Sequence, residues 1–229
     1  ITLPAGLTTV GANAFNACPN LTQVKISNLA AWCAVDFTTI ESNPLRFARN
    51  LYLNNELVTK IVIPSSVTEI KKYTFYNCSA TGLEFEGTDV SSIREKAFDS
   101  SSLSGDIDIK IMSSIGDSAF ARCTGIENIT FNGLTIGIAS FFGCTSLKSL
   151  TVNASYLASG TNSFGNCPNF TTVIAPVFSS TYRPFESSIP LGVKNVIITS
   201  GNEIPDNYFK NYTSLESVTL PNTITKIGN

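Results

Sequence analysis

Six cysteines and no histidine set the chemistry open to this 229-residue chain. Five of the six, Cys18, Cys78, Cys123, Cys144 and Cys167, each stand three residues after a phenylalanine. A thiol becomes a nucleophile when a nearby base or cation lowers its pKa. The missing imidazole removes Cys-His and Ser-His-Asp systems together with H-E-x-x-H metalloprotease chemistry. A zinc site needs ligands that converge on one point, whereas sulfurs one repeat apart form a line. The series is therefore read as reduced, buried thiols that pack as small apolar side chains. Column neighbours one strand spacing apart, roughly 4.8 Å, also lie within reach of a disulfide. Cys33, outside the series, is expected to pack beside Trp32.

Carboxylates offer the other chemical route. Asp106 and Asp108 alternate along one stretch, as do Glu84 and Glu86 one repeat earlier, and residues two apart on a strand share a face. Two carboxyl groups at a suitable separation could hydrolyse a glycoside; the better reading is that these four solvate a sheet. The chain has no G-x-x-x-x-G-K-[ST] and no G-x-G-x-x-G opening a helix, so nucleotide chemistry has no support. Neither a cofactor nor an enzymatic activity is expected.

What must position all of these groups is a repeat. Phe15, Phe75, Phe98, Phe120, Phe141, Phe164, Phe185 and Phe209 recur at steps of 60, 23, 22, 21, 23, 21 and 24 residues. Around each the same sentence returns, as in Ile115-Gly116, Ala119-Phe120, Cys123, Ile126, Ile129, Phe131 and again in Ile136-Gly137, Phe141, Cys144, Leu147, Leu150, Val152. A period of this length marks a solenoid whose coils bury their apolar faces against one another. The L-x-x-V-x-I part has the two-residue period of a short strand. Proline closes it at Pro4, Pro64, Pro176 and Pro221. The following V-x-x-I-G carries an apolar pair into a turn where glycine tolerates positive φ, and A-F-x-x-C reads as one helical or 3-10 turn. Stacked coils should place each Phe above the last.

The sentence I-G-x-x-A-F-x-x-C-x-x-L-x-x-V-x-I-P resembles the leucine-rich repeat of the bacterial BspA-like surface proteins, along essentially the whole chain. Asn28-Leu29-Ala30-Ala31-Trp32-Cys33, with Asn43-Pro44-Leu45 and Asn50-Leu51-Tyr52-Leu53-Asn54, resembles an enlarged repeat variant of that family. The resemblance implies an α/β, β-rich leucine-rich repeat solenoid: a right-handed superhelix with one parallel sheet and short helical or 3-10 turns opposite. It also implies a secreted, cell-surface protein, some relatives being similar to adhesins, and it brings no active site with it. Residues 1–229 are expected to form one domain of about nine coils, cut within a repeat at both ends. An insertion falls near 28–60, where Leu51-Tyr52-Leu53 and Glu56-Leu57-Val58 flank an Asn54-Asn55 hairpin turn. Ser101, Ser188 and Tyr212 replace the cysteine, and Ser159 and Ser180 stand in isoleucine positions. The coils from Val152 to Ile198 should therefore be the least regular.

Composition narrows the partners. A net charge of -2 and a pI near 5.2 leave no basic face for nucleic acid, and the chain has no apolar run long enough to span a membrane. A monomer is expected. The working surface is the exposed row between the last two buried strand positions: Lys25, Val62, Glu84, Asp108, Thr130, Thr151, Ile174, Ile197 and Thr219. Trp32 and Tyr52 in the insertion form a second candidate. Six N-x-[ST] sequons, at Asn20, Asn77, Asn128, Asn153, Asn169 and Asn211, are read as turn preferences. Two functional classes follow: a module that adheres to or recognises a host or neighbouring-cell protein or glycan through the sheet face, and a rigid spacer that presents another domain.

Overall fold

The computed structural model describes residues 1–87, 90–110, 114–154, 157–177, 190 and 192–229. Phe185, Ser180 and Ser188 fall outside the described residues. The chain forms a β-solenoid of mostly parallel strands. Each L-x-x-V-x-I stretch becomes a strand whose side chains alternate between core and surface, as in Ser149–Val152, Thr172–Ala175 and Asn195–Ile198. Six such strands pair in parallel: Ser104–Ile109, Gly125–Phe131, Ser149–Val152, Thr172–Ala175, Asn195–Ile198 and Ser217–Thr219. Towards the amino terminus, Lys60–Ile63 pairs with Gly82–Phe85, and Val24–Ile26 with Leu51–Leu53. Pro64 and Pro176 follow the last strand residue directly, where a missing N–H removes nothing from the ladder.

The expectation of one parallel sheet needs correction, because the V-x-x-I part of each coil builds a second ladder. Glu69–Ile70, Ser92–Ile93, Ser114–Ile115, Thr135–Ile136 and Ala158–Ser159 pair in parallel, with Ile70, Ile93, Ile115, Ile136 and Ser159 in line. Glycine after the isoleucine serves closeness rather than positive φ. A Cβ on Gly137 would lie 2.7 Å from the Asp117 nitrogen, and one on Gly160 would lie 2.5 Å from the Ile138 nitrogen. Neither separation is physically available, so the coils sit this close because the side chain is absent.

The A-F-x-x-C segment is not the helical or 3-10 turn expected. It holds left-handed residues four apart, Lys96 with Ser100, Ser118 with Arg122 and Ala139 with Gly143, which no helix accommodates. Alternate N–H groups instead reach along the solenoid axis. Those of Lys96, Phe98 and Ser100 donate to the carbonyls of Asp117, Ala119 and Ala121, at 3.0, 2.7 and 2.8 Å. One coil later Ser118, Phe120 and Arg122 donate to Ile138, Ser140 and Phe142 at 2.9, 2.8 and 2.7 Å. This third ladder offsets a left-handed cost of roughly 1–2 kcal/mol per residue. It also sets the Phe stack: Phe75, Phe98, Phe120, Phe141 and Phe164 follow one another at 5.1, 5.0, 5.4 and 5.4 Å with nearly parallel rings. Phe15 and Phe209, by contrast, are only half-buried.

The insertion closes the ladder at its amino-terminal side. Asn28 caps the short helix α1 (Leu29–Cys33), its Oδ1 accepting from the Ala31 N–H at 2.9 Å. Helix α1 delivers Trp32 into the core, against Phe37 and beside buried Cys33. There the Trp32 Nε1–H donates to the Thr74 carbonyl at 3.2 Å, standing in for the backbone N–H that a preceding regular coil would supply. A 3-10 turn, Ile40–Ser42, leads to α2 (Leu45–Ala48). Between them Asn43 donates to the Tyr73 carbonyl at 2.6 Å and accepts from the Leu45 N–H at 2.8 Å. The hairpin turns at Asn54 and Asn55, both with positive φ, as a two-residue turn of this hand requires.

Phe120→Ala leaves a hole between two stacked rings and is expected to cost about 3–5 kcal/mol. Urea denaturation followed by circular dichroism measures it, and a loss below about 1 kcal/mol is incompatible with a stacked core.

Candidate binding face

Strand register turns the sequence-derived row into a physical line. Asp108 pairs with Thr130, Thr130 with Thr151, Thr151 with Ile174, Ile174 with Ile197 and Ile197 with Thr219. Val62 pairs with Glu84 on the neighbouring pair of strands, and Lys25 with Thr2 and Tyr52 further on. Thr130, Thr151, Ile174 and Ile197 are half-buried by their row neighbours, while Glu84, Asp108 and Thr219 are exposed. In the middle of the six-stranded ladder the row is uncharged, and it holds two adjacent isoleucines.

A parallel row two residues earlier escaped the sequence reading. Asp106, Asn128, Ser149, Thr172, Asn195 and Ser217 are strand partners in turn. Asn128 Nδ2 donates to Asp106 Oδ1 at 2.7 Å, Ser149 Oγ to Asn128 Oδ1 at 2.6 Å, and Ser217 Oγ to Asn195 Oδ1 at 2.8 Å. Beside it run ion pairs, Lys148 with Glu127 at 2.5 Å and Lys194 with Glu216 at 2.7 Å. Recurrence of Asn, Asp or Ser two residues before the exposed row was the available signal. The face thus consists of a polar row partly cross-linked by its own hydrogen bonds, flanking an aliphatic and hydroxyl row.

The insertion joins the amino-terminal ladder. Tyr52 continues the line of Lys25 and sits directly opposite Leu57 across the hairpin. Tyr52 of the second candidate region thus shares a ladder with Lys25 of the first, whereas Trp32 is buried in the core.

The carboxylates prove to be committed elsewhere. Asp106 accepts from Asn128, and Lys60 pairs with Glu84, holding its carboxyl below the usual range. A glycosidic general acid needs the opposite shift. Asp99 does have a raised pKa, caused by burial and opposed by Arg122 and Ser100. Its fully buried carboxylate accepts from the Arg122 guanidinium at 2.5 Å and from Ser100 Oγ at 3.0 Å. This is an inter-coil clamp with no room for substrate. Four of the six sequon amides are engaged: besides Asn128, Asn77 Nδ2 donates to Arg46 O at 2.9 Å, Asn153 Nδ2 to Asn132 Oδ1 at 2.6 Å and Asn169 Nδ2 to Thr145 O at 2.8 Å. A glycan on any of them would displace a structural hydrogen bond.

The cysteine column is packing with a directional component. Cys123, Cys144 and Cys167 each donate from Sγ to the carbonyl of the phenylalanine one coil earlier, Phe98, Phe120 and Phe141, at 3.1, 3.2 and 3.2 Å. Ser101 fills the same slot, its Oγ 3.2 Å from Cys123 Sγ. All six cysteines are free thiols. Burial pushes Cys33 and Cys123 up to about 12 and Cys78 and Cys167 to about 11. No cluster of potential metal ligands occurs among the described residues.

Short coils of strand, second strand and tight turn, stacked on a phenylalanine column, define a leucine-rich repeat β-solenoid. The chain belongs to the BspA-type leucine-rich repeat family, whose repeat region matches residues 1–43, 45–171 and 113–229 in six copies. Among solved structures it is similar to a leucine-rich repeat protein from Eubacterium ventriosum, with 18% identity over 100% of this chain and a TM-score of 0.53. The chain spans 56% of the length of that protein. It is also similar to the pneumococcal vaccine antigen PcpA, at 19% identity over 72% of this chain and 51% of that one, with a TM-score of 0.40. A leucine-rich cell surface protein from Faecalibacterium prausnitzii matches at 19% identity over 99% of this chain and 78% of that one, with a TM-score of 0.37. No curated protein matches the chain.

Two predictions follow from the buried groups. In the native protein the aromatic disulfide of Ellman's assay should leave buried Cys33, Cys78, Cys123 and Cys144 unmodified, and guanidinium should release all six thiols. Full native reactivity contradicts the column. Asp99→Asn tests the clamp. Because the folded pKa of Asp99 lies above its ordinary value, ionising it in the fold costs stability, and that cost grows as pH rises through the ordinary value towards the folded one. The variant should match the parent in acid and exceed it at neutral pH in paired denaturation curves. A parent that is the more stable partner at neutral pH would show the Arg122 pair outweighing burial.

Proposed function

We propose that this chain is an extracellular recognition module that adheres to a host or neighbouring-cell protein through the exposed sheet face. The observation that carries the reading is the register-aligned, uncharged row from Thr130 to Thr219, in which Ile174 and Ile197 are adjacent. Protein interfaces have cores depleted of charge, ringed by polar groups. An uncharged strip bordered by a partly cross-linked polar row and by ion pairs has that composition. A surface serving only as a spacer has no need of an aliphatic strip in register. Membership of the BspA-type family supports placement at a cell surface. No helix among the described residues is long and apolar enough to cross a membrane.

Thr130→Lys and Thr151→Lys test the reading. Both side chains point off the sheet, so thermal unfolding should move little while binding in a screen against immobilised matrix proteins and glycans falls by about tenfold or more. Absence of any ligand for the parent chain favours the spacer, and a ligand indifferent to both substitutions places recognition on another surface.

A further inference from the structure

Five lysines along the solenoid are paired with carboxylates, four of them across to a neighbouring coil and Lys110 within its own. Lys60 pairs with Glu84, Lys110 with Asp108, Lys148 with Glu127, Lys194 with Glu216 and Lys226 with Glu203. Lys25, like Lys71 and Lys210, has no carboxylate within ion-pair distance among the described residues, but it alone of the three stands on the exposed strand row. The two positions that follow it on the face are also unusual. Its strand partner is Tyr52, half-buried, and the partner of Tyr52 across the hairpin is Leu57, which is 45% exposed. Directly opposed residues of an antiparallel pair project to the same side. A cation, a phenol ring and a bare aliphatic side chain therefore occupy three consecutive strands, within about 10 Å.

Each member lacks something that a partner could supply. Leu57 leaves apolar surface in water, which burial against a partner would remove. Lys25 is a charge without a counter-charge, and tyrosine is enriched where interfaces concentrate their energy. The hairpin that raises Leu57 is fixed by two left-handed asparagines, so little ordering is needed on binding. An aliphatic side chain gives a sugar no hydrogen bond, which favours polypeptide. Resting on the recognition reading above, we propose that Lys25, Tyr52 and Leu57 anchor an extended acidic segment of the partner protein. In that segment an apolar side chain, seated on Tyr52 and Leu57, lies within two or three residues of a carboxylate that pairs with Lys25.

A displayed library of random peptides about twelve residues long, selected on the immobilised chain, tests this. Enriched peptides should combine Asp or Glu with a nearby Leu, Ile, Phe or Trp. Their affinity, measured by biolayer interferometry, should fall about tenfold or more for Leu57→Ser and for Lys25→Glu, and stay unchanged for Lys210→Glu, a charge reversal on an exposed tight turn away from the strand row. Peptides in which lysine replaces the acidic residue should regain binding to the Lys25→Glu variant, an outcome that unfolding cannot imitate. Enriched peptides that lack an acidic residue, or that bind both variants as well as the parent, overturn the anchor. Peptides that lose affinity only to Thr151→Lys overturn it while leaving the recognition reading intact. A selection that enriches nothing overturns both.

Discussion

The structure depends on one distance. Each coil must lie one backbone hydrogen bond from the next on three sides at once: the long strand, the two-residue strand and the tight turn. The turn is the demanding side, because its N–H groups reach the next coil only if the backbone turns left-handed twice in five residues, as at Lys96 and Ser100. Once that holds, the remaining choices are forced. Rings stack at 5.0–5.4 Å because their Cα atoms are already at ladder spacing. Gly137 and Gly160 lack side chains because the neighbouring backbone occupies the space. Cys123, Cys144 and Cys167 fill the slot after phenylalanine as donors because a carbonyl faces it from one coil away.

The same constraint explains the insertion. A ladder that runs in one direction leaves carbonyls facing outward on its first regular coil, and a buried carbonyl without a donor costs about 1–3 kcal/mol. Trp32 and Asn43 both meet the Thr74 carbonyl of that coil from an irregular segment. The segment thus adapts a non-repeating stretch to a repeating one, and its hairpin feeds Tyr52 into the exposed row by ordinary strand pairing. Irregularity in sequence and continuity in the sheet are compatible because side chains can donate where backbone cannot.

Much of this was legible in the spacing of residue types. The phenylalanine steps give the stack, the two-residue alternation gives the strands and the exposed row, and Asn54-Asn55 gives the hairpin. What spacing could not reveal was backbone geometry at positions of no fixed residue type. The left-handed sites hold Lys96, Ser118, Arg122 and Ala139 as well as Asn162 and Asn166, so composition there speaks for a helix as readily as against one. The second ladder was hidden by its length, since strands of two residues such as Ser114–Ile115 have no period to detect. Tyr52 was separated from the exposed row only because an insertion breaks the repeat count, and pairing, not counting, decides which residues share a face.

Separation of core from surface is what such a scaffold gives a binding protein. The residues that hold the coils together point inward or act through the backbone, and the polar row from Asp106 to Ser149 satisfies itself between coils. The row from Thr130 to Thr219 is then free to vary, for its side chains support register only through β-propensity, a preference worth no more than about 1 kcal/mol per position. An isoleucine at 174 or 197 adds nothing that threonine would not, as far as strand formation goes. The chemistry that faces outward is therefore aliphatic at Ile174 and Ile197 on the six-stranded ladder and cationic at Lys25 on the amino-terminal three-stranded one.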